Sequence, residues 1–136
     1  MLFALSLLLV ATISPQTRAP VLAVQDVPAR DPLLDLYAET YARGLLAFSA
    51  VPAAYRGGPA APEYVQMEKR LNARRDRARS ILVTRFGAAA IEQIEADAEE
   101  EIGNVYFTDQ AAASEQARDR YPAILRKLER SVARLR

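Results

Sequence analysis

EYVQMEKRLNARRDRARSILVTRFGAAAIEQIEADAEEEIGNV, residues 63–105, decides how this chain folds. From Tyr64 to Phe86 it carries seven basic residues (Lys69, Arg70, Arg74, Arg75, Arg77, Arg79, Arg85) against two acidic ones, Glu68 and Asp76. From Ala88 to Val105 it carries six acidic residues and no basic one. Both halves read as helices. The first has an apolar stripe of Tyr64, Met67, Leu71, Ala78, Ile81, Leu82 and Phe86, interrupted by Arg74 and Arg75. The second repeats Ile91, Ile94, Ala98, Ile102 and Val105 at the three- and four-residue spacing of one helical face.

The acidic helix is uncomfortable alone. Glu95 and Glu99 are four residues apart, as are Asp97 and Glu101, and like charges at that spacing repel by a few tenths of a kcal/mol. Glu99, Glu100 and Glu101 also crowd the C-terminal end, where the helix dipole disfavours negative charge. If Gly87 reverses the chain, Arg79 falls near Glu95 and Arg75 near Glu99, a pairing that sets register more than stability. The rival geometry is one helix running through Gly87, with Leu82, Phe86, Ala90 and Ile94 in phase, at a cost of about 1 kcal/mol for the glycine. The hairpin is the reading adopted.

Working outward, Pro52–Pro62 (PAAYRGGPAAP) holds three prolines and two glycines, a composition for a loop. Before it, Asp31-Pro32 is a helix start with Asp as N-cap and Pro at the first helical position. Leu34, Tyr37, Tyr41, Leu45 and Phe48 make the apolar face of that helix, which Pro52 is expected to end. Gly44 within it points to a close helix approach. Beyond the acidic helix, Gly103 is placed as a helix-ending glycine. Val105-Tyr106-Phe107 is then expected to plug one end of a bundle. Thr108 or Asp109 caps a last segment whose stripe runs through Ala113, Ala117, Tyr121, Ile124, Leu125, Leu128, Val132 and Leu135. Pro122 leaves open whether this is one kinked helix or two. Gln110–Arg136 carries seven basic residues against three acidic. The order basic, acidic, basic predicts that the acidic helix packs between two basic ones.

The fold class is therefore all-α, a single bundle of three to five helices over residues 31–136. The first thirty residues read differently. Leu2–Ile13 is an apolar run of twelve, shorter than the roughly 20 residues that span a bilayer but right for the core of a signal peptide. Val21-Leu22-Ala23 suits cleavage after Ala23, giving a signal peptide at 1–23 and a disordered lead-in at 24–30. No Lys or Arg precedes the run, the one departure from the pattern. The expected location is periplasmic or secreted.

Among 136 residues there is no cysteine and no histidine, which removes disulfides, thiolate chemistry and the commonest general base and metal ligand. Eighteen basic residues balance 17 acidic ones, so any electrostatic function must come from segregated charge. Three function classes follow. The first is a non-enzymatic module that binds a protein partner or itself through charged helices, with Arg74, Arg75, Arg79, Glu95 and Glu99 as its interaction residues. The second is a carboxylate metal-site protein or hydrolase centred on the acidic helix 91–102, with Glu92, Glu95 and Glu99 as oxygen ligands suited to Ca2+ or Mg2+. The third is a nucleic-acid or anionic-membrane binder through the basic helices 64–86 and 123–136. No phosphate-binding loop, catalytic motif or internal repeat is present, and no cofactor or small molecule is implied. The first class is the one adopted.

Overall fold

The computed structural model describes residues 29–55, 62–104 and 109–135. The expected signal peptide, most of the lead-in, the loop residues 56–61, the Val105-Tyr106-Phe107 plug and Thr108 lie outside the described residues. What is described is helical: α1 (Pro32–Ala47), a short 3-10 turn (Ala53–Tyr55), α2 (Pro62–Phe86), α3 (Ala88–Asn104) and α4 (Gln110–Ala133).

The local signals act as the residue chemistry dictates. Asp31 accepts from the Leu33 amide at 2.8 Å with Pro32 beginning α1, and Asp109 accepts from the Ala112 amide at 3.0 Å to begin α4. Gly87 adopts φ +90°, a left-handed conformation that only glycine takes without strain, and its amide closes on the Val83 carbonyl at 2.9 Å. The chain reverses there, and α2 and α3 form an antiparallel hairpin rather than one rod. Pro122 does not split the last segment, because α4 runs continuously through it.

Three expectations are corrected. α1 ends at Ala47, not at Pro52. Carbonyls at its end and just beyond are taken by α4: Ser114 Oγ donates to the Ala47 carbonyl at 2.9 Å, and Arg118 donates to the same oxygen at 2.9 Å and to that of Ala50 at 3.3 Å. Gly103 lies inside α3 and does not take the left-handed conformation of a helix terminator. Most important, α3 does not sit between two basic helices. It packs on α1 and α2, and among the described residues no Cα of α3 comes within 8 Å of one in α4.

The four helices close a ring in the order α1, α4, α2, α3. Along it, α1 and α4 are antiparallel, α4 and α2 parallel, α2 and α3 antiparallel, and α3 and α1 parallel, as the pairs Ala47–Ser114, Arg74–Glu129, Arg79–Glu95 and Tyr37–Glu95 with Tyr41–Glu99 require. The bundle is flattened along one diagonal, where α1 also touches α2. α1 and α2 thus each touch all three other helices, and the fully buried line of α1 is Tyr37, Thr40, Gly44 and Ala47; of the expected face Tyr37 lies in that line, while Leu34, Tyr41 and Phe48 pack half-buried against the core. Small residues bring α4 close to α1: a Cβ on Gly44 would stand 2.9 Å from the Tyr121 ring carbon and hydroxyl. Tyr121, Leu82, Ile91, Leu125, Leu128 and Val132 fill the core between them.

Candidate functional site

The acidic helix offers two different surfaces. One is turned into the bundle. Arg79 grips Glu95 with both ends of its guanidinium, Nε to Oε1 at 2.6 Å and Nη2 to Oε2 at 2.9 Å. Tyr37, fully buried on α1, donates its hydroxyl to the same carboxylate. One turn further along both parallel helices, Tyr41 donates to Glu99 at 2.6 Å. The forked hydrogen bonds from Arg79 hold the Glu95 carboxyl below its usual range, overcoming the burial that would raise it, with Tyr37 acting in the same direction. Burial pushes the Tyr37 hydroxyl well up, and the Glu95 carboxylate beside it pushes the same way. Burial and then Glu99 raise Tyr41 to about 12.

Arg75 does not meet Glu99, because Tyr41 stands between them. The Arg75 guanidinium lies 5.0 Å from the Tyr41 ring centroid, its Nη2 is 3.3 Å from Asp76, and its buried Nε has no hydrogen-bond partner. Arg74 reaches the other way, forking onto Glu129 of α4 with Nε to Oε1 at 2.8 Å, and holds that carboxyl low. The five residues expected to interact, Arg74, Arg75, Arg79, Glu95 and Glu99, therefore all meet other side chains of the bundle, Glu99 while remaining exposed to solvent.

The outward surface of α3 is different. Glu92, Asp97, Glu100 and Glu101 are exposed and form no ion pair among the described residues. Asp97 only accepts from Gln93, one turn back on the same helix, at 2.7 Å. Beside them runs a groove of about 460 Å3 between α3 and α1, on the face away from α2 and α4. Its floor is Ala38, Ala42 and Leu46 of α1 with Ile94, Ala98 and Ile102 of α3. Two cations also line the groove, each paired elsewhere: Arg43 with Glu39 at 3.3 Å and Arg30 with Asp35 at 3.8 Å, whereas Asp97 and Glu101 on the α3 rim are without a cation among the described residues. Hydrophobic periodicity assigns Ala98 and Ile102 to the core and does not show this groove. Its signal in the sequence is the alanine on α1 at 38 and 42, one turn apart, next to a helix with no basic residue.

Glu92, Glu95 and Glu99 do not converge. Glu95 is committed to Arg79 and Tyr37, Glu99 to Tyr41, and no group of three or more acidic side chains among the described residues is placed to hold a metal ion. No helix among the described residues is long and apolar enough to cross a membrane. Comparison with known protein families, with characterised proteins and with solved structures finds no match for this chain.

Proposed function

We propose that this protein is an exported, non-enzymatic interaction module that engages a cationic protein surface through the outward face of α3. The observation that carries the reading is the charge the bundle leaves unmatched. α3 has six acidic residues and no basic one, and among the described residues only Glu95 is neutralised by an arginine. α4 lies at the opposite corner of the ring, and none of its cations pairs with a carboxylate of α3 among the described residues. A row of like charges beside an apolar groove suits a complementary partner, which would lower the repulsion and cover the floor at once. Export is supported by the Leu2–Ile13 run and by Val21-Leu22-Ala23.

A photo-crosslinking amino acid placed at Ala96 of α3, and separately at Ala73 of α2, tests this in the host cell; both sites are exposed. Adducts are expected from position 96, absent from position 73, and lost when Glu92, Asp97, Glu100 and Glu101 are replaced by their amides. Equal yields from both positions, or adducts that survive the replacement, would overturn the reading. For export, intact mass of the protein from fractionated cells should show a species beginning at Val24 in the periplasm or medium. A full-length cytosolic species would contradict it.

A further inference from the structure

The ring places two faces of opposite charge back to back. α1 and α3 form one side, with the acidic groove. α2 and α4 form the other, with seven basic residues against three acidic on α2 and five against three on α4. On α4, Arg126 and Arg130 are exposed and make no ion pair among the described residues. They are four residues apart, one helical turn, as are Asp97 and Glu101 on the groove rim. The only carboxylate on that stretch of α4, Glu129, is forked by Arg74; Arg126 lies near enough to act on it as well, but forms no ion pair with it.

We infer that the occupant of the α1/α3 groove is α4 of a second copy of this chain, with Arg126 and Arg130 facing Asp97 and Glu101. This rests on the proposed interaction role and names its partner. The alanine floor suits such an occupant: the aliphatic stems of arginine lie across Ala38, Ala42 and Ala98 while the guanidinium groups reach the rim. Because the two complementary surfaces are on opposite sides of one molecule, the contact is head-to-tail. Each copy that docks offers a fresh groove, so assembly continues into chains or rings instead of stopping at a dimer.

The test uses the purified protein, two variants and their mixture in sedimentation velocity. One variant is Asp97→Asn with Glu101→Gln, the other Arg126→Gln with Arg130→Gln. These are surface changes, and matching circular dichroism melts should show that both fold. The unaltered protein at ~100 μM is expected to sediment as species larger than a dimer in ~20 mM salt and as a monomer in ~500 mM, where the screening length is only a few Å. Each variant alone should remain monomeric at low salt. An equimolar mixture should form a dimer and stop, because one variant retains the basic face and the other the acidic groove. A monomeric unaltered protein at low salt, variants that assemble normally, or a mixture that does not dimerise would each overturn the inference. Crosslinking in cells separates this partner from the broader interaction role: with the photo-reactive residue at Ala42, on the groove floor, an adduct with a different protein would sustain that role and remove the second copy as its partner.

Discussion

At the scale of single residues, two positions at the α1/α2 diagonal carry most information. Gly44 has no room for a side chain, since an added Cβ meets the buried Tyr121 ring at 2.9 Å and Arg75 Nη1 at 3.1 Å. Gly44→Ala gains about 1 kcal/mol of helix propensity but forces the ring to shift, so a net loss of about 1–2 kcal/mol is expected in urea unfolding. Tyr121→Leu in the same chain should cost less in the Gly44→Ala background than alone, the mark of a shared clash. Arg75 is the second position. Its side chain is only 13% exposed and its Nε is orphaned, so the guanidinium is a poor stabiliser. Arg75→Met is expected to leave the unfolding free energy within ~1 kcal/mol of the unaltered protein, or to raise it. Glu99→Arg should not rescue Arg75→Glu, because the two side chains are separated by Tyr41. A measured rescue would mean that they meet directly.

At the scale of elements, the hairpin is held in register by Arg79, Glu95 and Tyr37. Arg79→Ala should cost about 2 kcal/mol, because it leaves a carboxylate that is 15% exposed without its cation. The network also fixes the pH response. Glu95 and Glu129 are held below their usual range in the folded state, so their contribution is present above the unfolded carboxyl pKa. It is lost as pH falls through the folded values. At the alkaline end the sign reverses: Tyr41 rises from 10.0 to about 12 on folding, so its share is complete below pH 10 and disappears between there and about 12. Tyr41→Phe should flatten that alkaline loss in a pH series of unfolding curves, and Glu95→Gln should flatten the acid one. Elements are the most legible level of this chain. Helix starts at Asp31 and Asp109 and the reversal at Gly87 are dictated by residue chemistry within a turn or two. The buried stripe of α2 is legible as well, at Tyr64, Leu71, Ala78 and Leu82. The buried line of α1 is not, because Thr40, Gly44 and Ala47 are buried for their small size, which hydrophobic periodicity does not score. Ser114 is hidden for a related reason: its hydroxyl is satisfied by α1 carbonyls that only the tertiary fold brings near.

At the scale of the whole molecule, charge order along the chain misleads, since it predicts which helices attract but not which can approach. α4 lies against α1 where Gly44 faces Tyr121 and Ala47 receives Ser114, and that close packing places it across the bundle from the acidic helix. Segregated charge is therefore turned outward instead of being cancelled inside, and the groove on α1/α3 exists for the same reason. Raising the salt should stabilise the fold where α3 carboxylates repel one another. Replacing Glu92, Asp97, Glu100 and Glu101 by amides should raise the low-salt melting temperature by a few degrees. An unchanged melting temperature would mean that the unmatched charge is without structural cost.

The two tyrosine–glutamate rungs between α1 and α3 repeat after one turn on both helices, so a slide of α1 by a single turn would keep one rung and break the other. Tyr41 would then meet Glu95, while the fully buried Tyr37 hydroxyl would face Ile91 and lose its acceptor. A buried hydroxyl left without a partner costs about 1–3 kcal/mol. The notch at Gly44, where the Tyr121 ring seats, adds a steric stop to that penalty. The glycine acts as a detent on a contact that already resists sliding. With the notch filled, α1 should be displaced against α4 before it moves against α3, and the largest amide shifts of Gly44→Ala are expected around Tyr121, with those of Glu95 and Glu99 smaller.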